Sequence, residues 1–460
     1  MSDSIPAWVQ DAVFYEIFPE RFANGDPRND PPGVQPWDAE PTPGNFLGGD
    51  LQGILGKLDY LQALGVTALY LTPIFAADTN HKYDTLDYQC IDPHFGDMDI
   101  FRRLLAELHA RGMRLVLDAV FNHVGKSHWA FRDVMQRGED SPYVNWFYIE
   151  DLPVTTTPAP NYATYENASY LVKLNIHNPQ VRTCLYDVAR KWTREGIDGW
   201  RLDVPYLMNH RFWKGFRRVV REINPEAYIV AEVWQRATDW LQGDECDGAM
   251  NYRLRDLMLQ FFVQERLDAQ AFARELAALG GELPGRSSYA MLNLLGSHDT
   301  PRILTLCGGD KARTELAVTF LFTHTGVPMV YYGDEVGMLG ENDPGCRRGM
   351  WWEPSRQDAE LLDWHRRCAR LRLAHPALRR GSERSLHAHG HVYAFERDDG
   401  HDRVVLILNR ATSTETVPLP EDCWQGRDEL RDELGGGVVR RAESVQIAPR
   451  AAMALAAAAT

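Results

Sequence analysis

The feature that most constrains this sequence is a repeated unit: an amphipathic helical pattern, a glycine and a short apolar run. It is clearest in four places: "LQGILGKLDYLQALG" before "VTALYLTP", "MDIFRRLLAELHARG" before "MRLVLDAVFNH", "VRTCLYDVARKWTREG" before "IDGWRLDV", and "KARTELAVTFLFTHTG" before "VPMVYYGDE". The glycines stand where a helix ends in a left-handed residue; they are Gly65, Gly112, Gly196 and Gly326. Asn178 and Pro179 give a matching helix start, as N-cap and first-turn proline. The unit predicts helices that alternate with strands.

The apolar runs lack strict polar alternation, which is typical of parallel strands covered on both faces. About eight such runs occur; they begin near Val13, Val66, Arg114, Gly199, Tyr228, Gly248, Tyr289 and Val327. Eight parallel strands with intervening helices predict an α/β fold of the (β/α)8 TIM-barrel type. A doubly wound open sheet is the alternative.

Two departures from the repeat predict further domains. About 50 aromatic-rich residues separate the third strand from the next helix, too many for a simple loop, so residues 123–172 are predicted to form an inserted subdomain of a barrel made from 1–122 and 173–375. Helical patterns stop after about His375, and "HVYAFERDDGHDRVVLILNR" predicts two strands joined by an Asp-Gly turn. Residues 376–460 are therefore expected to form an antiparallel β-sandwich domain, with "AAMALAAAAT" as its low-information end.

Charge and composition restrict the partners. A net charge of -15 would repel nucleic acids and anionic membranes, which favours a neutral or cationic partner. The N-terminal stretch lacks a basic start followed by an apolar run, and no segment approaches the roughly 20 apolar residues of a membrane span, so a cytoplasmic protein is expected. The seven scattered cysteines form no C-x-x-C pair, which favours core residues over disulfides or a zinc site.

Charged and polar residues collect where the predicted strands end. In "GWRLDV", Arg201 and Asp203 share one face of the strand, and Trp200, Leu202 and Val204 would face the helices. The ends of the other strands carry Asp118, Asn122, His123, Glu232, His298 and Asp299. Each residue taken alone has a structural explanation, as a helix cap, a buried histidine or an ion pair. Together they predict one pocket at the C-terminal face of the barrel.

A set of carboxylates in such a cleft favours retaining glycoside hydrolysis, which needs a nucleophile and a proton donor. Asp203 suits the nucleophile because the nearby Arg201 should keep it ionised. Glu232 suits the acid, since its apolar surroundings should raise the pKa of its carboxyl. Asp299 would stabilise the charged transition state, and His123 and His298 would bond to sugar hydroxyls.

Four segments resemble the ordered signature regions of the alpha-amylase family of glycoside hydrolases. They are "DAVFNH", "GWRLDV", "AEVW" and "LLGSHD", and "LVKLN" and "GVPMVYYGDE" also agree. The resemblance implies Asp203 as nucleophile, Glu232 as general acid/base and Asp299 as transition-state stabiliser. It implies that the substrate is bound by Tyr83, which would stack on the sugar, and by Asp118, His123, Arg201, Trp234 and His298.

Within that family, "DAVFYEIFPERFANGDPRNDP" and "GGDLQGI" resemble the neopullulanase, cyclomaltodextrinase and maltogenic amylase group. The resemblance implies a calcium site, and oxygen ligands at short spacing are what calcium requires. The implied ligands are Asn24, Asp26, Asn29, Asp30, the Gly48 carbonyl and Asp50. A polar turn without metal is the alternative, because Asn-Gly-Asp-Pro is strong turn chemistry.

The sequence also departs from this group. Its members carry an extra N-terminal β domain that builds a dimer, whereas here Trp8 already belongs to the start of the barrel; a monomer or weak oligomer is therefore expected. The group usually has Val-Ala-Asn-Glu after the nucleophile, whereas Asp203 precedes "VPYL", and Gln235 replaces the usual His. Because "VPYL" would line the acceptor side of the cleft, these differences do not indicate whether the protein uses α-1,6 bonds or transfers to sugars.

Three hypotheses follow for the function. The first is hydrolysis of α-1,4 bonds in maltooligosaccharides, starch-type glucans or cyclodextrins. The second is a transglycosylase or isomerase on the same machinery, similar to trehalose synthase. The third is a non-catalytic glucan-binding relative, which the presence of all three carboxylates disfavours.

Overall fold

The computed structural model describes residues 5–457, so the ends of the predicted first and last domains lie outside it. Eight parallel strands form one sheet. They are β1 (Phe14–Ile17), β2 (Ala68–Leu71), β3 (Arg114–Ala119), β4 (Gly199–Leu202), β5 (Tyr228–Ala231), β6 (Gly248–Ala249), β7 (Leu292–Leu294) and β8 (Val327–Tyr331). Their order is β6-β5-β4-β3-β2-β1-β8-β7, and a parallel bridge between Met250 and Leu292 joins the two ends. The sheet is closed, which confirms the (β/α)8 barrel and excludes the open sheet.

Helices surround the strands. Seven of them are α1 (Leu58–Leu64), α2 (Met98–Ala110), α3 (Pro179–Glu195), α4 (His210–Arg221), α5 (Ala269–Gly281), α6 (Lys311–Thr323) and α7 (Ala359–Ala374). Further helices span Ala7–Asp11, Pro19–Phe22, Leu51–Leu55, Trp129–Arg137, Tyr252–Met258, Ile303–Leu306 and Pro376–Arg380. Gly65 and Gly196 end α1 and α3 with φ of 91° and 107°, as predicted. Between β5 and β6 the described chain has only the 3-10 turn Thr238–Trp240.

Alternate side chains of each strand enter two separate apolar layers. Phe14 and Val116 fill the barrel interior, whereas Trp200 packs outward. The indole of Trp200 donates to Thr193 Oγ1 of α3, and its ring centroid lies 6.0 Å from that of Phe216 on α4. This alternation turns Arg201 inward, as the sequence pattern predicts.

Two β excursions rise from the C-terminal end of the barrel. After β3, strands His123–Gly125, Thr164–Tyr165 and Ala168–Lys173 form a three-stranded sheet beside the helix Trp129–Arg137. After β2, strands Phe75–Ala77 and Thr85–Ile91 form a hairpin that the sequence patterns did not reveal, because one strand has only three residues. The connection between these two hairpin strands carries Tyr83.

The last part of the chain is antiparallel. Its strands are Ser382–His389, Val392–Asp398, Arg403–Asn409, Glu415–Pro418, Glu429–Asp432, Val438–Arg440, Ser444–Ile447 and Ala451–Ala456, which form a six-stranded and a two-stranded sheet. The predicted Asp-Gly turn is present, and Gly400 has a φ of 90°. One expectation was wrong: one more helix, Pro376–Arg380, follows His375. In the alanine-rich end, Ala451–Ala456 pairs with Arg403–Asn409, and Ala454, Leu455 and Ala456 are buried.

Within residues 5–457, no helix has the length and hydropathy needed to cross a membrane. The cysteines are all free, and five of them are buried, which agrees with their interpretation as core residues.

Candidate active site

A cavity of about 630 Å³ opens at the C-terminal end of the barrel strands. Its lining includes all three predicted catalytic carboxylates and four of the six predicted substrate-binding residues: Asp203, Glu232, Asp299, Tyr83, His123, Trp234 and His298. The other two predicted residues, Asp118 and Arg201, are each only 1% exposed and lie beneath this lining. The structure therefore assembles the predicted set in two layers, one facing the cavity and one supporting it.

Arg201 is the centre of the supporting layer. Its Nη1 donates to Asp203 Oδ1 at 2.8 Å and to both oxygens of Asp118 at 3.0 Å. Its Nη2 lies 2.9 Å from Glu232 Oε1. One buried guanidinium thus holds three carboxylates, an arrangement that stability alone does not favour over an apolar core. It is explained if the carboxylates are needed in the cavity.

The protonation of Asp203 differs from the sequence expectation. Burial raises the pKa of Asp203 well above its ordinary value; Arg201 opposes this shift, and the charges of Glu232 and Asp118 add to it. Burial also raises the pKa of Glu232, as predicted, although Arg201 again opposes the shift. The expectation that Arg201 keeps Asp203 ionised counted neither the burial of Asp203, which is the largest influence on its pKa, nor the charges of Glu232 and Asp118. The Asp203–Glu232 pair therefore tends to retain a proton.

The backbone bends sharply directly after Asp203. β4 ends at Leu202, and Val204 has a φ of 37° and a ψ of 51°, in the left-handed region that a β-branched residue rarely adopts. This conformation aims the Val204 N–H at Glu232 Oε2, 3.1 Å away. Val204 itself lines the cavity. The prediction that it packs outward on the helices was wrong, because the strand period stops two residues earlier.

Asp299 has cationic neighbours on two sides. Its carboxylate lies 3.2 Å from His298 Nε2 and accepts a hydrogen bond from Arg347 Nη2 at 3.1 Å. Burial alone would raise the pKa of Asp299, but His298 and Arg347 outweigh it and the pKa is lowered. Sequence reasoning missed Arg347, which follows β8 in a segment without a recognisable motif. The pKa of Asp299 is therefore shifted in the opposite direction to those of Asp203 and Glu232.

Tyr83 and His123, both predicted to bind the sugar, differ in whether their polar groups are free to do so. Tyr83 donates its hydroxyl proton to Asp118 Oδ2 at 2.9 Å, and its ring stacks on His298 with centroids 5.4 Å apart. His123 stacks on Tyr165, with centroids 4.8 Å apart, and burial lowers the pKa of its imidazole to about 3. The Nε2 of His123 is buried and has no partner among the described residues. A neutral ring with a free nitrogen suits a sugar hydroxyl.

Aromatic side chains cover much of the remaining cavity wall. Trp234 is 39% exposed, stacks on Tyr252 with centroids 3.8 Å apart, and its indole N–H donates to Glu232 Oε1 at 3.2 Å. Tyr165, Tyr206 and Trp240 also line the cavity, although sequence reasoning did not single them out. Two sequence features could have pointed to them: Tyr165 lies in the aromatic-rich insert, and Tyr206 lies in the unusual "VPYL" segment after Asp203. Aromatic faces suit the apolar faces of sugar rings.

The six residues of the implied calcium site cluster after β1. Asn24 Nδ2 donates to Asp30 Oδ1 at 2.7 Å, and a Cβ placed on Gly48 would lie 2.4 Å from that oxygen. Asp50 accepts from the backbone N–H groups of Gly25, Asp26 and Gly53.

The donor set of this cluster fits a hard cation in part. The side-chain oxygens of Asn24 and Asn29 are buried without a partner among the described residues, as ligand oxygens would be. The Asp26 carboxylate instead pairs with Arg28, at 2.7 Å. Across residues 5–457, no group of three or more His, Cys, Asp or Glu residues is arranged to hold a metal. A site here would therefore depend on amide and carbonyl oxygens.

Comparison with known proteins agrees with this geometry. Residues 16–370 match the family model described as "Alpha amylase, catalytic domain". Neopullulanase 2 from Thermoactinomyces vulgaris is 48% identical over 437 residues, which cover 92% of this chain and 75% of that protein. Cyclomaltodextrinase from Geobacillus thermopakistaniensis is 48% identical, covering 91% of this chain and 72% of its own length.

Among solved structures, the cyclic alpha-maltosyl-(1→6)-maltose hydrolase from Arthrobacter globiformis has a TM-score of 0.93 and 49% identity. The match covers 98% of this chain and 100% of that one. The family model spans most of the barrel and includes all three cavity carboxylates. The chain belongs to the alpha-amylase family of glycoside hydrolases.

Proposed function

We propose that this protein is a retaining glycoside hydrolase that cleaves α-1,4-glucosidic bonds in maltooligosaccharides, starch-type glucans or cyclodextrins. The observation that carries the proposal is Arg201, whose two terminal nitrogens contact Asp203 and Glu232 at 2.8 and 2.9 Å on the cavity floor. Retaining enzymes need two carboxyl groups close together, about 5–5.5 Å apart, and one shared guanidinium holds them near each other. Relatives named neopullulanase and cyclomaltodextrinase support the substrate class.

The proposed reaction has two steps. Asp203 attacks the anomeric carbon while Glu232 gives its proton to the leaving glycosidic oxygen, which breaks the bond and leaves a covalent glycosyl-enzyme. Glu232, now ionised, then takes a proton from water, and the resulting hydroxide displaces Asp203 from the sugar. The raised pKa of Glu232 supplies the proton that the first step requires. Both carboxyls have raised pKa values, so the two groups share the retained proton. The reactive form is the one with this proton on Glu232 and with Asp203 ionised.

Asp299 stabilises the positive charge that develops on the sugar ring. It is the cavity carboxylate with a lowered pKa, so it is ionised whenever the pair holds its proton. A fixed negative charge next to the developing positive charge lowers the energy of the transition state. His123 has a free Nε2 for a sugar hydroxyl, whereas both ring nitrogens of His298 already face protein groups. Tyr83 lines the cavity beside them.

A transglycosylase or isomerase is a second candidate, and exposed aromatic surface in the cavity favours it. Tyr206 is 45% exposed and lies in the segment directly after Asp203. An aromatic platform there would hold an acceptor sugar in place of water. A non-catalytic glucan-binding protein is the third candidate, and the complete carboxylate set argues against it.

Parallel product time courses test the proposal. Purified protein is incubated with maltoheptaose, β-cyclodextrin, pullulan and cyclic α-maltosyl-(1→6)-maltose, and the products are separated by chromatography. We expect short maltooligosaccharides to accumulate from at least one α-1,4-linked substrate, with the anomeric configuration retained. Dominant transfer products at low substrate concentration would instead support the second candidate. Tight binding without cleavage over a day would support the third.

We also propose a structural calcium ion bound by Asn24, Asn29, Asp30, the Gly48 carbonyl and Asp50. The unpartnered amide oxygens support it, and Asp26, held by Arg28, would contribute at most through its backbone. Such an ion would cross-link the segments after β1 without taking part in the chemistry, since none of its ligands lines the active-site cavity.

Chelation should lower the melting temperature if this ion is present. Bound ligand at about 100 times its Kd stabilises the folded state by about 2.7 kcal/mol, so dialysis against EDTA should produce a clear drop that Ca²⁺ reverses better than Mg²⁺. An Asp30→Ala variant should lose this response. Unchanged metal content and melting temperature after prolonged chelation would exclude the site.

We further propose that the protein acts in the cytoplasm as a monomer or weak oligomer, with a neutral α-glucan as partner and without nucleic acid or membrane partners. A 45% identical relative named intracellular maltogenic amylase, from Bacillus subtilis, supports the location. The net charge of -15 supports a neutral substrate over an anionic one.

A further inference from the structure

Glu16 is a buried carboxylate of the barrel that the reaction scheme above leaves unused. It lies on β1 with no exposed surface. Its Oε1 is 2.5 Å from His298 Nδ1 and also accepts from the His298 backbone N–H at 3.3 Å. Glu16 thus contacts an active-site residue from below the cavity.

Hydrogen-bond counting determines the charge of His298. Asp118 accepts from Tyr70 at 2.6 Å and from Arg201, so it is an ionised acceptor. Tyr83 has one hydroxyl proton and gives it to Asp118, at 2.9 Å. The 2.7 Å contact between Tyr83 and His298 Nε2 must then use a proton on Nε2. Nδ1 also carries a proton, because it faces the Glu16 carboxylate. Both ring nitrogens are protonated.

We propose that Glu16 is a positioning residue of the active site: its negative charge holds His298 as an imidazolium whose second N–H faces Tyr83 and Asp299. The cation, together with Arg347, keeps Asp299 ionised for its part in catalysis. The inference rests on the proposed function only for the role of Asp299. The charge of His298 is inferred from its contacts with Tyr83 and with an ionised Glu16.

The surroundings of His298 are consistent with this assignment. The polar and titratable groups that face it are Glu16 from β1, His81 and Tyr83 from the hairpin after β2, Glu232 from β5, Asp299 beside it, and Cys346 and Arg347 after β8. Burial alone would lower the pKa of His298, but Asp299 and Glu16 outweigh burial and Arg347, and the pKa is raised.

A purely structural role would not need this charge. A glutamine at position 16 would offer the same oxygen to Nδ1–H and would avoid burying a carboxylate. The other oxygen of Glu16, Oε2, is buried without a hydrogen-bond partner among the described residues. Leaving such a group unpaired is unfavourable, so the charge itself is what the site retains.

The Glu16→Gln variant tests the proposal. ¹⁵N-histidine-labelled wild-type protein and the variant are titrated by NMR, and His298 is assigned with a His298→Gln variant. The imidazolium exists below its pKa and is lost as pH rises through it, so removing the Glu16 charge should move this loss to lower pH by at least about one unit. We also expect the ratio of variant to wild-type kcat/KM on maltoheptaose to fall as pH rises from about 5 to 8.

Two variants serve as controls. Glu16→Asp keeps the charge and should preserve the imidazolium. Glu335→Gln changes another fully buried carboxylate, bonded to Tyr15 and Tyr60, and should leave the His298 titration unchanged. A neutral His298 in the wild type, an unchanged titration in Glu16→Gln, or an equal loss of kcat/KM at every pH would overturn the proposal. Since NMR needs no turnover, failure of the proposed function would be recognised separately.

Discussion

An Asp203→Asn variant should lose at least about 10⁴-fold in kcat on maltoheptaose, a rise of about 5.4 kcal/mol in the barrier. The amide keeps the shape of the side chain but cannot form the glycosyl-enzyme, so neither half of the reaction proceeds by its normal route. Arg201 keeps Asp118 and Glu232 as partners, at 3.0 and 2.9 Å, so we expect the variant to fold. Steady-state assays of reducing ends measure the loss.

Asp334→Asn is the matched control for that experiment. Asp334 is also buried beside an arginine, with Arg302 Nη1 2.9 Å from its Oδ1, but it does not line the cavity. Its replacement should lower the melting temperature while most of kcat remains. Normal turnover by Asp203→Asn would refute the nucleophile assignment.

A Glu232→Gln variant should lose about 10²–10⁴-fold in kcat on maltooligosaccharides, the usual contribution of a positioned general acid. The loss in the first step should be much smaller for an aryl maltoside with a good leaving group, because such a group departs without a proton. Burst kinetics with that substrate separate formation of the glycosyl-enzyme from its hydrolysis. An equal loss with both substrates would count against the acid role.

The pH dependence of activity gives a second test of Glu232 as the general acid. The acid must be protonated for the first step, so wild-type activity should fall as pH rises through its pKa. Burial raises that pKa, which moves the alkaline limb above the position that an exposed glutamate would give. The limb should disappear from the burst phase of Glu232→Gln. A limb unchanged in that variant would assign it to another group.

Glu232 and Asp203 show when a pKa shift can be predicted from the sequence and when it cannot. For Glu232, the apolar run before it was sufficient, because burial is the largest influence on its pKa. For Asp203, the neighbouring Arg201 lowers the pKa as expected, but burial is the largest influence and raises it, and the charges of Glu232 and Asp118 add to that rise. A pKa depends on all charges within a few ångströms, and most of these come from other strands.

The sequence alone determined the barrel and the inner catalytic set. Helical and strand periodicities are local, and the carboxyl ends of parallel strands must meet at one face, so Asp203, Glu232 and Asp299 could be grouped without coordinates. The C-terminal antiparallel domain was also readable, from its Asp-Gly turn and alternating strands.

Only the tertiary structure decided the second layer around those residues. Arg347 approaches Asp299 from the loop after β8, and Glu16 reaches His298 from β1, 282 positions away in the sequence. Val204 leaves the strand in a left-handed turn that the period of two does not anticipate. These features depend on how distant segments meet in a closed sheet, where each strand end is surrounded by side chains from several others. Local patterns place the strand-end carboxylates at the cavity, whereas long-range contacts add the residues around them and determine their charge.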